Sequence, residues 1–392
     1  MKVLFWMNNG FETYSTSEHL LSAVIERLVL EGNRVHVIQM NQGCPMPILP
    51  KKLAGLGVTT DGISIKKTNK SNFVARYLEA IKSYCKCKRL IKIHNDADVT
   101  FLQSTNVAGI AVWLVRKNLK KTIITYNVQD IFPYNLAYCG RLKMNGLVFK
   151  CLAAFQRYGY KHSDNIITIS EDMKETLVSD GVPASKVNVV YNWSYQDDTY
   201  EELDLTPVSH MFDRNYFNVV YAGNIGVMQN VDILIEAAKL IKEDKSIWFH
   251  IIGNGVYKDK LEARAKEFGI TNISFWPMQP PEMAPLIYSA ADVNVIPLVK
   301  DVYRTALPSK TATCLACQKP IIFAIGKNSK FGKEVQKETG CIVTESDRPE
   351  ELAIAIRSVK NNKIKIDTAA FFKKKCSITN NSERYAKIIA GR

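Results

Sequence analysis

A glycine-containing turn after an apolar strand is the feature of this sequence best suited to bind an anion. Residues 217–238, FNVVYAGNIGVMQNVDILIEAA, combine a strand, a turn with Gly223, Asn224 and Gly226, and an amphipathic helix. The order predicts that free backbone N–H groups and a positive helix end follow the strand directly, which suits a phosphate. A tight turn that needs glycine for its backbone conformation is the plainer alternative.

A second glycine site and a lysine lie further along the same half of the chain. Gly253-Asn254-Gly255 ends the apolar strand IWFHII, and a second turn of this kind favours a nucleotide site. Lys310 follows Ser309, which could cap a short helix. A lysine in the first turn of a helix is unfavourable unless an anion neutralises it, so Lys310 is a candidate phosphate ligand. An exposed lysine without a role is the alternative.

Polar residues also follow two predicted strands in the first half. Asn9 and Gly10 come after the first strand, and the loop from them to Tyr14 is predicted to face a cleft. Gln129 and Asp130 end the strand TIITYNV. A carboxylate at the end of a strand is a candidate base or substrate ligand, although a turn-forming aspartate is equally consistent with the sequence.

Apolar strands alternate with helical patterns along the whole chain. This alternation predicts an α/β protein with parallel sheets that helices cover on both faces. A polar, acidic segment without periodicity interrupts it, so we expect two Rossmann-like domains that face an interdomain cleft. The predicted parts are an N-terminal domain (residues 1–191), a linker (192–216), a C-terminal domain (217–380) and a last helix (381–392) that packs back on the N-terminal domain.

Composition agrees with a folded protein of two domains. The chain has 392 residues, of which 46% are hydrophobic and 23% are charged. No run approaches the ~18 apolar residues of a membrane span, and the start, MKVLFWMNNG, is interpreted as a first strand and not as a signal peptide. The nine cysteines are scattered and the six histidines are not expected to cluster, so we predict free thiols in the cytoplasm and no metal site.

Positive charge is concentrated in one part of the first half. Residues 51–161 contain 20 Lys and Arg against 5 Asp and Glu, whereas the whole chain has a net charge of +14. Within this part, residues 71–93 are predicted to form one helix with aromatic and basic residues, a pattern typical of contact with an anionic membrane surface. A core-packed helix with a solvated basic face is the alternative, and no nucleic-acid recognition module is found. The candidate membrane residues are Arg76, Lys82, Lys86 and Arg89.

Several segments, taken together, resemble glycosyltransferase family 4. In the second half these are YAGNIG at 221–226, ADVNVIPL at 291–298 and ALPSKTATCLACQKPII at 306–322. In the first half, YNVQDIFPY at 126–134 and SDNIITISEDMKETLVSDGVP at 163–183 agree in order and spacing. The similarity is strongest to bacterial enzymes that build capsule, exopolysaccharide and O-antigen repeat units.

The resemblance implies a GT-B fold and a specific reaction. The enzyme would be metal-independent and need no cofactor. It would retain anomeric configuration while transferring a hexosyl or N-acetylhexosaminyl unit from a UDP-sugar. The acceptor would be a polyprenyl-diphosphate-linked saccharide at the inner face of the cell membrane. Asp130 and Lys310 would be catalytic, and the donor would contact Gly223, Asn224, Gly226, Gln229, Gly253, Asn254, Gly255, Arg304, Ser309 and Thr313. The acceptor side would include Asn9, Gly10, Tyr14 and Gln129.

Some positions depart from the wider family pattern. Asn224 and Gln229 stand where many members have an arginine and a lysine, and Thr305 and Thr313 stand where many have glutamates. Two alternatives therefore stay open beside the transferase. One is a UDP-sugar 2-epimerase, which shares the fold, and the other is a non-catalytic subunit that binds a nucleotide or a glycolipid.

Overall fold

The computed structural model describes residues 1–11, 16–42, 47–66, 73–362 and 364–391. The chain divides into two compact units. The first unit comprises Met1–Ala137, Leu142–Asn192 and Ile378–Arg392, and the second comprises Tyr138–Arg141 and Trp193–Ser377.

The first unit contains a seven-stranded parallel sheet. Its strands have the spatial order β3-β2-β1-β4-β5-β6-β7. Five of the six residues of the first strand, KVLFWM, are buried, as expected for a parallel sheet that helices cover on both faces. The strands are β1 (Lys2–Met7), β2 (Arg34–Gln42), β3 (Thr59–Ile65), β4 (Val99–Leu102), β5 (Ile123–Val128), β6 (Asn165–Thr168) and β7 (Val187–Val189).

Eight α-helices lie before residue 193 in the described chain, and one predicted helix is in fact two. The helix expected over 71–93 breaks at Cys87, whose side chain is fully buried. The helices are α1 (Thr16–Leu30), α2 (Lys51–Gly55), α3 (Phe73–Lys86), α4 (Lys88–Ile93), α5 (Ala108–Asn118), α6 (Tyr134–Tyr138), α7 (Leu147–His162) and α8 (Glu171–Ser179).

The second unit repeats this architecture with a six-stranded parallel sheet. Its order is β10-β9-β8-β11-β12-β13. The strands are β8 (Phe217–Ala222), β9 (Ile247–Ile252), β10 (Ile273–Trp276), β11 (Val293–Pro297), β12 (Ile321–Ala324) and β13 (Ile342–Thr344). The helices are α9 (Asp232–Leu240), α10 (Lys258–Glu267), α11 (Ala284–Ala290), α12 (Lys310–Ala316), α13 (Lys330–Thr339), α14 (Pro349–Lys360) and α15 (Ala369–Lys375).

Both sheets reverse their strand order beside their first strand. The reversal lies between β1 and β4 in the first unit and between β8 and β11 in the second. In open α/β sheets, ligands bind beyond the carboxyl ends of the strands at such a switch point. The two Rossmann-like domains therefore place the ends of β1 and β8 where ligand sites are expected.

The last helix, α16 (Ile378–Ala390), belongs to the first unit. Tyr385 is buried and its hydroxyl donates to the Asn127 side chain at 3.2 Å. The segment 193–216, which precedes β8, is more than a polar connection. It contains a 3-10 helix, Thr206–Met211, and its Trp193 and Val208 side chains are buried in the second unit.

No helix in the described part of the chain is both long and apolar enough to cross a lipid bilayer.

Two glycine turns of the second unit are in contact through their backbones. The Gly223 N–H donates to the Ile252 carbonyl at 2.8 Å, and the Ile225 N–H donates to the Asn254 carbonyl at 2.9 Å. A Cβ atom on Gly255 would lie 2.1 Å from the Ile225 carbonyl oxygen, much closer than atoms approach in real structures. Gly255 therefore has to lack a side chain for the two turns to meet.

We predict that Gly255→Ala destabilises the second unit through this backbone clash. Overpacking costs about 2–3 kcal/mol, which lowers the thermal midpoint of a domain of this size by about 4–12 °C. Gly269→Ala is the matched control, since Gly269 has a φ of +64° but no heavy atom within 4 Å of a Cβ atom. Its cost is the left-handed backbone alone, about 1 kcal/mol. Equal shifts in thermal melts of the two full-length variants would contradict the contact.

Candidate functional site

The Lys310 ammonium is the central group of the candidate site in the second unit. It lies 3.7 Å from the centre of the Tyr221 ring, a cation–π contact. A Cβ atom on Gly223 would stand 2.7 Å from Lys310 Nζ, and Gly223 has a φ of +138°. The structure thus brings Lys310 and the end of β8 together, and Gly223 leaves the space that the ammonium occupies.

This ammonium is shielded from water and makes no hydrogen bond to any residue that the structure describes. Desolvation lowers the pKa of Lys310 to about 7. A buried cation without a hydrogen-bonding partner is unfavourable, so an anionic oxygen beside Nζ would remove an energetic penalty. The site is therefore built to accept negative charge.

The backbone N–H groups of the glycine turn are only partly available to a ligand. Those of Gly223 and Ile225 are used to join the two turns, which differs from the expectation that all of them are free. The N–H groups of Asn224 and Gly226 have no acceptor within the described ranges. The Asn224 carbonyl accepts the Tyr221 hydroxyl, and this bond fixes the turn.

The turn does not lead directly into helix α9, as the sequence had suggested. A 3-10 turn over Val227–Gln229 intervenes. The first turn of α9 contains Asp232, whose carboxylate is 2.9 Å from Arg264 Nη1. The N-terminal end of α9 therefore already has an anionic partner from the protein, and the groups left for a ligand are those of the turn.

Asn224 and Gln229 lie on either side of Gly226. The Asn224 Nδ2 group donates to Gln229 Oε1 at 3.2 Å. A Cβ atom on Gly226 would be 2.7 Å from Nδ2 of Asn224 and from Oε1 of Gln229. The two amides thus replace the cationic pair of the wider family with a neutral pair, which leaves Lys310 as the cation at this turn.

Of the other predicted donor residues, Gly255 supports the turn, as described above, and Asn254 contributes its carbonyl to it. A Cβ atom on Gly253 would lie 1.9 Å from the Gly223 carbonyl oxygen, so Gly253 also belongs to this close backbone contact. Ser309 is exposed and its side chain does not cap α12, which corrects the predicted cap. Thr313 is buried and its hydroxyl accepts from Ser194 at 3.4 Å.

Arg304 and Thr305 make contacts away from the glycine turn. Arg304 is exposed and its Nε atom is 3.4 Å from Asp301 Oδ1. Thr305 is fully buried and its hydroxyl donates to the Val302 carbonyl at 3.0 Å, which makes it a structural residue.

Tyr221 is the site residue that sequence reasoning missed. It was assigned only to the buried strand, because a tyrosine among apolar residues is typical of a core. Tyr221 and Gly223 are two positions apart, and alternate residues of a strand share one face. That spacing was the available signal that both would lie beneath the same ligand.

In the first unit, the strand ends that carry the predicted acceptor residues meet at one edge of the sheet. Asp130 follows β5 and is exposed, yet surrounding protein desolvates its carboxyl and raises its pKa to about 7. Gln129 is held by polar contacts: its amide donates to Asn127 at 3.0 Å and accepts from Asn192 at 2.8 Å. Gln129 is therefore positioned as part of the fold.

The remaining acceptor residues lie after β1. Asn9 is half-buried and Gly10 is buried, and a Cβ atom on Gly10 would collide with the Asn41 side chain at 2.1 Å. Gly10 is thus required by packing. Tyr14 lies outside the described residues.

Some of the aromatic and apolar side chains of the basic helices α3 and α4 pack inward, whereas Leu78 and Ile93 are 52% and 59% exposed. Tyr84 and Ile91 are buried, and the Tyr84 ring lies 4.7 Å from the Trp6 ring. This packing favours the alternative of a core-packed helix pair over an aromatic membrane anchor. Lys82, Lys86 and Arg89 are exposed, and Arg76 lies on α3.

Comparisons with known proteins agree with this architecture. Residues 216–362 match a family model described as glycosyl transferases group 1, and residues 17–193 match one described as glycosyltransferase family 4. A curated relative from Escherichia coli (strain K12), WcaI, is named as a colanic acid biosynthesis glycosyl transferase and is 29% identical over 219 residues. The match covers 55% of this chain and 51% of WcaI, so the chain spans about half the length of that relative.

Two solved structures share the fold over nearly the whole chain. WaaG, titled a glycosyltransferase involved in lipopolysaccharide biosynthesis, has a TM-score of 0.71 at 13% identity and covers 100% of both chains. Anabaena HepE in complex with UDP and glucose has a TM-score of 0.70 at 12% identity and covers 99% of both. The two family models and the GT-B architecture of two Rossmann-like domains lead to one conclusion: the chain contains a glycosyltransferase family 4 domain followed by a group 1 glycosyl transferase domain.

Proposed function

We propose that this protein is a retaining glycosyltransferase that moves a sugar from a UDP-sugar to a lipid-linked saccharide in the synthesis of a cell-surface polysaccharide. The observation that carries the proposal is the Lys310 ammonium, which is buried beside Gly223 with no hydrogen-bonding partner in the described chain. A diphosphate would supply that partner. The name of WcaI and the UDP in the HepE complex support the same substrate classes.

Stabilisation of the leaving group is the proposed main source of catalysis. Negative charge grows on the UDP diphosphate as the bond to the sugar breaks. The Lys310 ammonium opposes that charge from a site that excludes water, where the interaction is stronger than in bulk solvent. The N–H groups of Asn224 and Gly226 would donate to the same oxygens.

Asp130 is the proposed catalytic carboxylate on the acceptor side. It would orient the acceptor hydroxyl or stabilise the oxocarbenium-like sugar of the transition state. The protein around it raises the pKa of its carboxyl, which is the direction expected of a group that exchanges a proton with a substrate. Asn9, which follows β1, would contact the acceptor from the same edge of the sheet, one strand beyond β4.

The transfer reaction itself provides the first test. The purified full-length protein is incubated with a panel of UDP-sugars and a polyprenyl-diphosphate-linked saccharide, and UDP release and the glycolipid product are measured by mass spectrometry. We expect Lys310→Met to lower turnover by roughly 2–3 orders of magnitude, because it removes a preorganised charge. Asp130→Asn should also lower turnover. An epimer formed from UDP-GlcNAc without acceptor, or binding without any product, would reject the transferase in favour of the two alternatives.

The low pKa of Lys310 makes a second prediction about donor binding. At pH 8 a lysine with a pKa of about 7 is mostly neutral, and a bound diphosphate raises that pKa again. Binding of UDP should therefore take up about one proton, because the terminal phosphate of UDP is already ionised at this pH. Calorimetric titrations in buffers of different ionisation enthalpy measure this uptake.

A charge-matched variant separates Lys310 from other lysines in that experiment. Lys300 is exposed and pairs with Asp347 at 3.0 Å, so Lys300→Met should keep the uptake. Lys310→Met should abolish it. Proton uptake that persists in the Lys310→Met variant would show that another group neutralises the diphosphate.

The exposed basic residues of α3 and α4 are proposed to hold the enzyme at an anionic membrane surface. The inward packing of Tyr84 and Ile91 means that this contact would be electrostatic and not an insertion of aromatic rings. Each Lys or Arg near such a surface contributes about 1 kcal/mol. The contact would bring the first unit to a lipid-linked acceptor.

We expect the combined variant Lys82→Gln, Lys86→Gln and Arg89→Gln to bind phosphatidylserine-containing vesicles roughly 100-fold more weakly in co-sedimentation assays. A second variant with the same loss of charge, Lys266→Gln, Lys333→Gln and Lys337→Gln, changes exposed lysines of the second unit and should bind normally. Equal weakening in both variants would mean that only net charge matters, and this would remove the assigned surface.

A further inference from the structure

Two histidines and an aspartate of the first unit form a cluster that the sequence did not predict. His36 lies on β2, Asp61 lies on the edge strand β3, and His94 follows α4. The expectation that the histidines do not cluster is therefore wrong for these two. Their separation of 58 positions hides the contact, and only the pairing of β2 with β3 and the return of α4 bring them together. We name these three residues the histidine–aspartate cluster.

The distances within the cluster match those between ligands of one metal ion. His36 Nε2 lies 3.2 Å and His94 Nε2 lies 3.3 Å from Asp61 Oδ2. One potential ligand atom from each of the three residues lies within 4.8 Å of the others. With bonds of about 2.0–2.1 Å, two ligands of tetrahedral zinc are about 3.3–3.4 Å apart. The carboxylate is thus already at ligand spacing from both imidazoles.

Burial and unsatisfied atoms also indicate a missing partner. The exposed fractions of His36 and His94 are 8% and 9%. His36 Nε2 points into the cluster and makes no hydrogen bond in the described part of the chain, although Asp61 is near. Buried polar atoms are nearly always satisfied, so this nitrogen requires an explanation, and a metal ion would provide one.

The contacts around the cluster include a hydrogen bond of the kind that orients metal-ligating histidines. The other ring nitrogen of His36 lies 2.7 Å from Thr59 Oγ1, a hydrogen bond that fixes the orientation of the ring. The His36 and His94 rings are 3.9 Å apart between centroids. The nearby Lys2 side chain is paired with Asp96, which offsets its positive charge.

We propose that the histidine–aspartate cluster binds one divalent transition-metal ion of the zinc class, with His36 Nε2, His94 Nε2 and Asp61 as protein ligands. Two imidazoles and one carboxylate suit zinc or cobalt better than magnesium or calcium, which prefer oxygen ligands. Water would complete the coordination, since three protein ligands leave a position open.

The position of the cluster indicates a structural role for the ion. His36 and Asp61 are each the third residue of their strand, near the amino ends of the sheet. Asn9 and Asp130 follow the carboxyl ends, where the ligand site is expected. The ion would join the edge strand β3 and the end of α4 to β2, and so would hold the basic helices in place without taking part in sugar transfer.

Titration of the metal-free, full-length protein with Co²⁺ or Zn²⁺ tests this proposal. We expect one Co²⁺ per chain, with the visible absorption of a four- or five-coordinate ion and no thiolate charge-transfer band. Asp61→Asn and His94→Gln should each weaken binding by at least about 100-fold, and Thr59→Val by about tenfold. His162→Gln, which changes an exposed histidine of the same unit, is the control and should bind normally.

A thermal melt with and without Zn²⁺ distinguishes loss of the site from loss of the fold. The ion should raise the melting temperature of the wild type and of His162→Gln, because a ligand that binds only the native state stabilises it. It should not raise that of Thr59→Val at a concentration below the weakened dissociation constant. A thiolate band in the cobalt spectrum, no bound ion, or unchanged binding in folded Asp61→Asn would overturn the proposal.

Discussion

The burial of the Lys310 ammonium, which has no hydrogen-bonding partner among the described residues, is the physical constraint to which the other features of the candidate site relate. Desolvation of such a group is costly, and the lowered pKa of Lys310 expresses that cost. The face of the Tyr221 ring compensates part of that cost. Lysines with a strongly shifted pKa cluster at functional sites, and this one lies beside the end of β8, at the switch point of a Rossmann-like sheet.

That arrangement requires the backbone around it to be unusually close. Gly223 has to be glycine because its φ is +138°, and Lys310 occupies the space beside it, whereas Gly255 has to lack a side chain because the Ile225 carbonyl lies there. The glycine turn divides its N–H groups between two tasks. Those of Gly223 and Ile225 hold the second turn, and those of Asn224 and Gly226 face no acceptor in the chain as described. Because the N–H groups of Gly223 and Ile225 are bonded, those of Asn224 and Gly226 are held rigidly in place. Preorganised donors of this kind are what stabilise a leaving group.

In the first unit, the helices α3 and α4 combine packing against the core with a concentration of positive charge. Tyr84 and Ile91 are buried in the core, whereas Leu78, Ile93, the lysines and Arg89 are exposed to solvent. One amphipathic segment thus stabilises the domain and carries a concentrated positive charge. His94 directly follows α4 and connects this segment to β2 and β3 through Asp61. A change in the histidine–aspartate cluster would therefore act on the basic surface through the end of α4.

The sequence determined the order of strands and helices, because burial between two helical layers imposes apolar runs such as KVLFWM and FNVVYA. It also determined that glycines end β8 and β9 and that Lys310 begins α12. It missed β3, an edge strand with one neighbour, because its half-exposed residues lack a clear pattern. Only the tertiary structure decided which N–H groups stay free, that Ser309 does not cap its helix, and that Tyr221 lies beneath Lys310. It also decided that His36 meets His94. Most of these features are contacts between residues far apart along the chain. Side-chain periodicity reports the burial of each element and has no information about which elements become neighbours.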